Sequence, residues 1–208
     1  MKSFFISRIP SPIRSLGHIS RTRFDLGNAL YTCNYSVSSL LAKNCVCQSG
    51  LFGSLSNLEL KNSKLYRVSS ESCFAVGCNR ISVKQSEFAA WFKSGIINER
   101  ETIVESGEFS DVVFTNLTES CVFYVNNKVS NLKILRCRFD SVVTSSITAP
   151  VTVLSCNTAI LDSSCFYFCS GINKATSFII ASYISEYVLI AKVNQTSEFC
   201  CGIYRSQW

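Results

Sequence analysis

Apolar and polar residues alternate over short segments along most of this chain, and one arrangement of them recurs. The arrangement spans eleven residues. Its positions 1, 3 and 11 are mostly apolar, position 6 is a small residue, and position 8 is a large apolar residue. Alternation over four or five residues favours β-strands over helices. Five clear copies are LELKNSKLYRV (58–68), ISVKQSEFAAW (81–91), TIVESGEFSDV (102–112), LKILRCRFDSV (132–142) and AILDSSCFYFC (159–169).

The large apolar residue of each copy gives the spacing of the repeat. From Leu40 the series runs, at irregular intervals, through Leu65, Phe88, Phe109, Phe139, Phe166 and Phe199. A second series of short apolar segments lies between the copies, at 45–47, 73–76, 121–125, 151–154 and 178–181. Two short strands in each irregular repeat predict a parallel β-solenoid, because a single coil cannot bury its own apolar edge.

A Greek-key sandwich is the alternative fold, since it also uses many short strands. It would require more turn residues than the 9 Gly and 3 Pro of this chain provide. It also offers no reason for a motif that repeats along the sequence. The repeat therefore favours the solenoid.

The rhythm L-x-L-x-x-S-x-F-x-x-V, with Ser-, Cys- and Asn-rich joints as in LKILRCRFDSV and DSSCFYFCSG, resembles that of a known group of repeats. These belong to right-handed parallel β-helix proteins of the pectin-lyase-like type, in particular large uncharacterised protist families. The resemblance covers about residues 31–204 and implies a stacked, three-sided coil. It carries over no catalytic residue, and the Gly-Gly-Ala-Ile joints common in such families are missing here. We predict an all-β, right-handed parallel β-helix of six or seven coils in one domain, residues 25–208.

The distribution of charge argues against a nucleic-acid partner. The net charge is +6, but residues 1–24 carry five basic residues and no acid, which leaves +1 for the rest. A near-neutral domain lacks the basic stripe of a nucleic-acid-binding protein.

The leader, residues 1–24, is either an organellar transit peptide or a disordered basic tail, and Pro10 and Pro12 weaken the helix that a transit signal needs. No secretory signal is evident, and the localisation stays unassigned.

A membrane-spanning helix is not expected, because no run of about 18 apolar residues occurs. The most apolar segment, FIIASYISEYVLIAKV (178–193), is short for a span and contains Glu186. Its Tyr, Ile and Val residues predict successive strands instead.

Two glutamates are the candidate catalytic residues. Glu87 and Glu108 each precede a large apolar residue in consecutive copies of the motif, so a parallel stack would place them on neighbouring strands about 4.8 Å apart. A close pair of carboxylates is the acid/base pair of glycoside hydrolysis. The alternative is a solvated surface in which Lys64 and Arg138 flank them. The same alignment predicts charge pairs between Lys64 and Glu87, between Glu108 and Arg138, and between Lys84 and Glu105.

The residues required for a nucleophilic catalytic triad or a zinc site are missing from the predicted domain. The single histidine, His18, lies in the leader, which removes Ser/His/Asp and Cys/His arrangements from the domain. None of the 12 cysteines is spaced C-x-x-C, so no zinc site is predicted, and most should be buried, reduced thiols. No metal or cofactor is expected.

The sequence therefore predicts a non-enzymatic interaction or structural module whose partner is an unknown protein or glycan. The alternative is a carbohydrate-active hydrolase or lyase that uses Glu87 and Glu108.

Overall fold

The structure, a computed structural model, describes most of the chain from residue 18 to residue 196. The described segments are 18–20, 23–24, 30–31, 34–47, 50–53, 57–70, 73–76, 79–90, 96–98, 105–118, 122–126, 131–144, 150–169 and 178–196. They consist of strands and bends, which confirms the all-β prediction, and none of them forms a helix that could cross a membrane. Residues 1–17 of the predicted leader lie outside the described residues.

The strands follow one another closely along the chain. They are β1 (His18–Ser20), β2 (Arg23–Phe24), β3 (Leu30–Tyr31), β4 (Asn34–Ser38), β5 (Leu41–Cys47), β6 (Gly50–Gly53), β7 (Asn57–Lys61), β8 (Lys64–Ser70), β9 (Cys73–Val76), β10 (Arg80–Lys84), β11 (Glu87–Ala89), β12 (Ile97–Asn98), β13 (Ser106–Ser110), β14 (Val113–Thr115), β15 (Phe123–Asn126), β16 (Asn131–Leu135), β17 (Arg138–Asp140), β18 (Val151–Asp162), β19 (Cys165–Tyr167), β20 (Phe178–Ala191) and β21 (Asn194–Thr196).

Every pairing between these strands is parallel, and each joins residues that lie one coil apart in the sequence, as between Leu30 and Phe52 or between Thr158 and Tyr187. Successive strands along the chain therefore lie on different sides of a coil. Side 1 stacks β4, β7, β10, β13, β16, β18 and β20, and side 2 stacks β1, β5, β8, β11, β14, β17, β19 and β21. The fold is a parallel β-solenoid, as predicted.

Side 3 is built from the second series of apolar segments. β3, β6 and β9 form one sheet, β9 contacts β12, and β12 pairs with β15. The first part of β18 pairs with β15, and the first part of β20 pairs with β18. The described parts of the predicted segments 73–76, 121–125, 151–154 and 178–181 thus belong to this side, whereas 45–47 forms the end of β5, just after the second bend.

The apolar segment at 178–191 is a strand, which confirms the interpretation made from its residue types. β20 is one element of 14 residues rather than two separate strands. Register shifts against β18 between Val153 and Ser155 and between Cys156 and Thr158 divide the pairing into a side 3 part and a side 1 part.

The inward residues of side 2 form a ladder that differs from the predicted series at three coils. Ala42 stands in place of Leu40, Phe114 in place of Phe109, and Gln195 pairs with Phe166 in the last coil, whereas Phe199 lies outside the described residues. Phe88 pairs with Leu65 and with Phe114, and Phe114 pairs with Phe139. Phe109 instead lies on side 1, where it pairs with Val83 and Ile134. The ladder, more evenly spaced along the chain than the predicted series, is Ala42, Leu65, Phe88, Phe114, Phe139 and Phe166.

The third copy of the motif was aligned wrongly with the other copies because two overlapping segments of the chain fit the same pattern. Gly107-Glu108-Phe109 imitates the small-x-large rhythm of Ser86-Glu87-Phe88, although it belongs to β13 on side 1. At the true equivalent of Ser86, the chain carries the larger Val112, which is fully buried. The prediction that Phe109 belongs to this ladder is therefore wrong, although Phe109 is itself buried.

Two bends per coil turn the chain into and out of side 2, and both use left-handed backbone. Within the described segments, thirteen non-glycine residues have φ between 49° and 60°. Apart from Lys192, they fall in pairs with a constant separation along the chain, so that side 2 has a constant length. The first bend uses Ser39, Asn62, Gln85, Asp111, Arg136, Ser163 and Lys192, and the second bend uses Asn44, Arg67, Ala90, Asn116, Ser141 and Phe168.

Ala90→Gly should stabilise the protein by about 1 kcal/mol. Ala90 has φ of 52°, a left-handed conformation that is costly for a residue with a Cβ atom and that glycine adopts at no steric cost. Its N–H, which donates to the Thr115 carbonyl at 2.9 Å, is retained. Urea unfolding measures the change. Ala89→Gly, in the adjacent β11, is the control and should destabilise by a similar amount. A destabilised Ala90→Gly protein would contradict the assigned bend.

Small polar side chains inside the first bend link one coil to the next. The Ser63 hydroxyl donates to the Lys61 carbonyl of its own coil at 2.7 Å and accepts the Leu40 N–H of the preceding coil at 3.1 Å. Ser86 repeats this arrangement, since its hydroxyl accepts the Ser63 N–H at 3.1 Å. Both serines are buried. The small residue of the motif therefore adds a side-chain hydrogen bond between neighbouring coils to those of the paired strands, and we call this series the hydroxyl ladder.

Candidate functional site

A groove of about 440 Å³ runs along the outside of the first bend and spans three coils. Its position follows from the bend itself, because the left-handed residues turn the chain sharply between sides 1 and 2. Two kinds of position contribute most of the lining: the bend residues and the first residues of the side 2 strands. The lining consists of Asn62, Ser63, Lys64, Gln85, Ser86, Glu87, Asp111 and Val113.

The charged groups of the groove are paired. The Lys64 Nζ lies 3.6 Å from Glu87 Oε2, as predicted from the sequence. Asp111 accepts two hydrogen bonds from the Arg136 guanidinium of the next coil, each at 2.8 Å. The hydrogen bond from Arg136 lowers the pKa of Asp111, and the same bond raises the pKa of Arg136. Asp111 is therefore an ionised carboxylate at neutral pH.

Glu87 and Glu108 do not lie on neighbouring strands. Glu87 is in β11 on side 2, between Lys64 and Val113, whereas Glu108 is in β13 on side 1 and pairs with Lys133. Of the two, Glu87 alone lines the groove. The predicted adjacency of these two glutamates is wrong, for the same reason that the third copy of the motif is misaligned.

Two of the three predicted charge pairs change partners with the corrected alignment. Lys84 lies 3.2 Å from Glu108, and Arg80 lies 3.9 Å from Glu105. Arg138 pairs with Asp140 of its own strand at 2.7 Å. Of the three predicted pairs, that of Lys64 and Glu87 is formed as the sequence predicted.

The groove therefore brings Glu87 together with Asp111, a residue that the sequence reasoning did not select. A signal for it existed, since Asp111 stands one coil after Gln85, as Gln85 stands one coil after Asn62. With two side-chain amides, two carboxylates and one ammonium group, the groove offers hydrogen bonds to a polar ligand. The described residues contain no group of three or more His, Cys, Asp or Glu side chains that could hold a metal ion.

The outer face of side 2 carries tyrosines that contact basic side chains. The Lys43 Nζ lies 5.7 Å from the centre of the Tyr66 ring, and the Arg67 guanidinium lies 5.2 Å from it. Further along the same side, the Arg138 guanidinium lies 4.9 Å from the centre of the Tyr167 ring. Cation–π contacts of this kind hold the rings in place at the surface.

Five cysteines have described side chains, and all five are free thiols, of which four are buried. Burial raises the pKa of the Cys137 thiol to about 12 and the pKa values of Cys156 and Cys169 to about 11. A thiol is a weak nucleophile when its pKa is raised in this way. These residues are part of the core, as predicted. Cys137 takes a position of the hydroxyl ladder, since its thiol donates to the Leu135 carbonyl at 3.4 Å, as the Ser63 hydroxyl donates to the Lys61 carbonyl.

Cys137→Ser should remove part of the alkaline sensitivity of the fold. A thiol whose folded-state pKa is about 12, against about 9 when unfolded, stabilises the fold fully below pH 9 and loses that contribution as the pH rises towards 12. At pH 10 this loss is about 1 kcal/mol. A serine fits the position, since Ser164 and Ser63 occupy equivalent ones.

Urea unfolding of both proteins at pH 7.5 and pH 10 tests this expectation. At the lower pH the two free energies of unfolding should agree within about 1 kcal/mol, and at the higher pH the wild-type protein should lose more. Val143→Thr, at an exposed position, is the control and should leave the pH dependence unchanged. An identical pH dependence for wild type and Cys137→Ser would show that this thiol does not titrate as described.

Comparison with known proteins gives no match: no protein-family model, no curated protein and no solved structure matches the chain.

Proposed function

We propose that the chain is a non-enzymatic interaction or structural module, a β-helix of right-handed, pectin-lyase-like type whose outer surface binds a protein or glycan partner. The three sides of the coils and the small residues at the bends support this type of β-helix. The observation that favours a non-enzymatic role is the separation of Glu87 and Glu108 onto different sides, each close to a lysine. Neither carboxylate faces the other across a space for a sugar.

A carbohydrate-active enzyme is the second candidate, and one observation favours it. The groove is lined by two carboxylates, Glu87 and Asp111, on consecutive coils. Hydrolysis of a glycoside needs one carboxyl group that is protonated and one that is ionised. Asp111, with its lowered pKa, would be the ionised group, and Glu87 is the other carboxyl group that lines the groove.

A combined binding and cleavage screen of the full chain separates the two candidates. Polysaccharides and glycans are tested for retention on the immobilised protein, and the solutions are assayed for new reducing ends and unsaturated sugars. We expect no new ends from any substrate. Release of ends by the wild-type protein that is lost in Glu87→Gln, but kept in the matched Glu108→Gln, would replace the proposal with the enzyme.

A further inference from the structure

One exposed cluster on side 2 and around its second bend combines apolar and basic side chains. Leu41, Lys43 and Val46 come from β5, and Tyr66 and Arg67 come from β8 on the next coil. The parallel register places Lys43 opposite Tyr66, and Leu41 lies two positions before Lys43 on the same face. We call these five residues the Tyr66 cluster.

The cluster contains most of the exposed large apolar residues of the described chain. Of the five such residues, the cluster holds three: Leu41 at 38% exposure, Val46 at 45% and Tyr66 at 37%. The other two, Val143 and Phe168, lie at least three coils away. Val143 occupies the position of Val46 in its own coil, just after the second bend, and Phe168 lies on that bend. Among the side 1 residues whose side chains the structure describes, none is an exposed large apolar residue. Exposed apolar residues gathered in one place are typical of an interaction site.

The two cations of the cluster are not neutralised by acids. Within the described residues, Lys43 and Arg67 form no ion pair, and both instead contact the Tyr66 ring. The similar contact of Arg138 with Tyr167 differs in this respect, because Asp140 binds Arg138 at 2.7 Å. The Tyr66 cluster therefore presents two positive charges beside apolar surface, whereas the pair of Arg138 and Asp140 is neutral.

We propose that the Tyr66 cluster is a docking site for an acidic segment of a partner protein, in which a large apolar residue lies next to carboxylates. The carboxylates pair with Lys43 and Arg67, and the apolar side chain packs on Leu41, Val46 and the Tyr66 ring. Tyrosine and arginine are among the residues that most often dominate the binding energy of protein interfaces. Opposite charge across the contact adds specificity and speeds association. This inference rests on the proposed role as an interaction module and names its partner.

An anionic membrane is the other surface that a basic and apolar patch attracts. Stable attachment to anionic lipids uses clusters of about four or more basic residues, and two cations are too few for it. The paired charges of Lys64 and Glu87 on the same face add nothing to it. The cluster therefore fits a short acidic peptide segment better than a lipid surface.

Selection from a random linear peptide library displayed on phage, with the full chain as bait, tests the proposal. Enriched peptides should carry Asp or Glu beside Phe, Leu or Trp. A synthetic copy of such a peptide should bind the wild-type protein at least tenfold more tightly than the Lys43→Gln/Arg67→Gln double variant. Arg138→Gln is the matched control and should bind as the wild type does, and thermal melts should show all three proteins folded.

Each remaining result overturns the docking site. A selection that yields no acidic peptides, or selected peptides that bind the double variant within threefold of the wild type, contradicts it. Vesicles of phosphatidylserine mixed with phosphatidylcholine form the second arm, and binding to them that is lost in the double variant assigns the cluster to membranes. Selected peptides that bind elsewhere overturn this inference and leave the proposed interaction module standing, whereas polysaccharide cleavage in the previous screen overturns the module itself.

Discussion

Phe114→Asp is expected to leave the chain unfolded or aggregated under conditions in which the wild-type protein folds. Phe114 is fully buried and stacks on Phe88 at 5.4 Å and on Phe139 at 4.9 Å between ring centres. Loss of a buried Phe costs about 3–5 kcal/mol, and an unpaired carboxylate in the core adds to this. The sum is comparable to the whole stability of a domain, about 5–15 kcal/mol. Circular dichroism and urea unfolding measure the outcome.

Thr115→Asn is the control, since this neighbouring residue points outwards and should change stability by about 0.5 kcal/mol or less. The alignment itself is tested by Phe114→Leu and Phe139→Leu, singly and together. Because the two rings are stacked, their effects should couple by about 0.5–1.5 kcal/mol. Strictly additive effects, or a Phe114→Asp protein that unfolds cooperatively like the wild type, would show that the corrected ladder is wrong.

Ser63→Ala should cost about 2 kcal/mol, a large effect for the loss of one oxygen atom. The Ser63 hydroxyl is the acceptor for the buried N–H of Leu40, and its removal leaves that donor without a partner. An unsatisfied buried donor costs about 1–3 kcal/mol. Urea unfolding at neutral pH measures the loss.

Ser82→Ala, at an outward position of β10, is the matched control and should lie within about 0.5 kcal/mol of the wild type. Ser63→Cys should lie between the two, because Cys137 shows that a thiol can occupy this ladder. Equal effects of Ser63→Ala and Ser82→Ala would refute the role of the hydroxyl in linking coils.

The solenoid could be predicted from the sequence because stacked coils carry similar residues at equivalent positions, which produces a repeat along the chain. The small residue of each motif is the clearest case, since Ser63, Ser86 and Ser164 all prove to be buried at the first bend. The alignment of one coil with the next was harder to predict from the sequence. Sides 1 and 2 both alternate inward and outward residues, so Phe109 and Phe114 are equally acceptable from hydrophobicity alone. The constant distance between bends is what separates them.

The candidate site depended on that alignment and was therefore only partly predictable. Glu87 was selected correctly as an outward residue beside Lys64. Its neighbour in the groove, Asp111, belongs to the third copy, whose misalignment sets Asp111 against Ala90 and Glu108 against Glu87. The Tyr66 cluster was missed for another reason. Its five residues become a surface only when the register brings β5 against β8.

The pairing of strands that lie a full coil apart also has a consequence for biosynthesis. No strand of the solenoid can meet its partner until a complete further coil has left the ribosome, which takes about 1–5 s at roughly 5–20 residues per second. Elementary steps of strand pairing take microseconds. Each coil thus has ample time to dock on its predecessor before the next one arrives, and the order of translation becomes the order of folding.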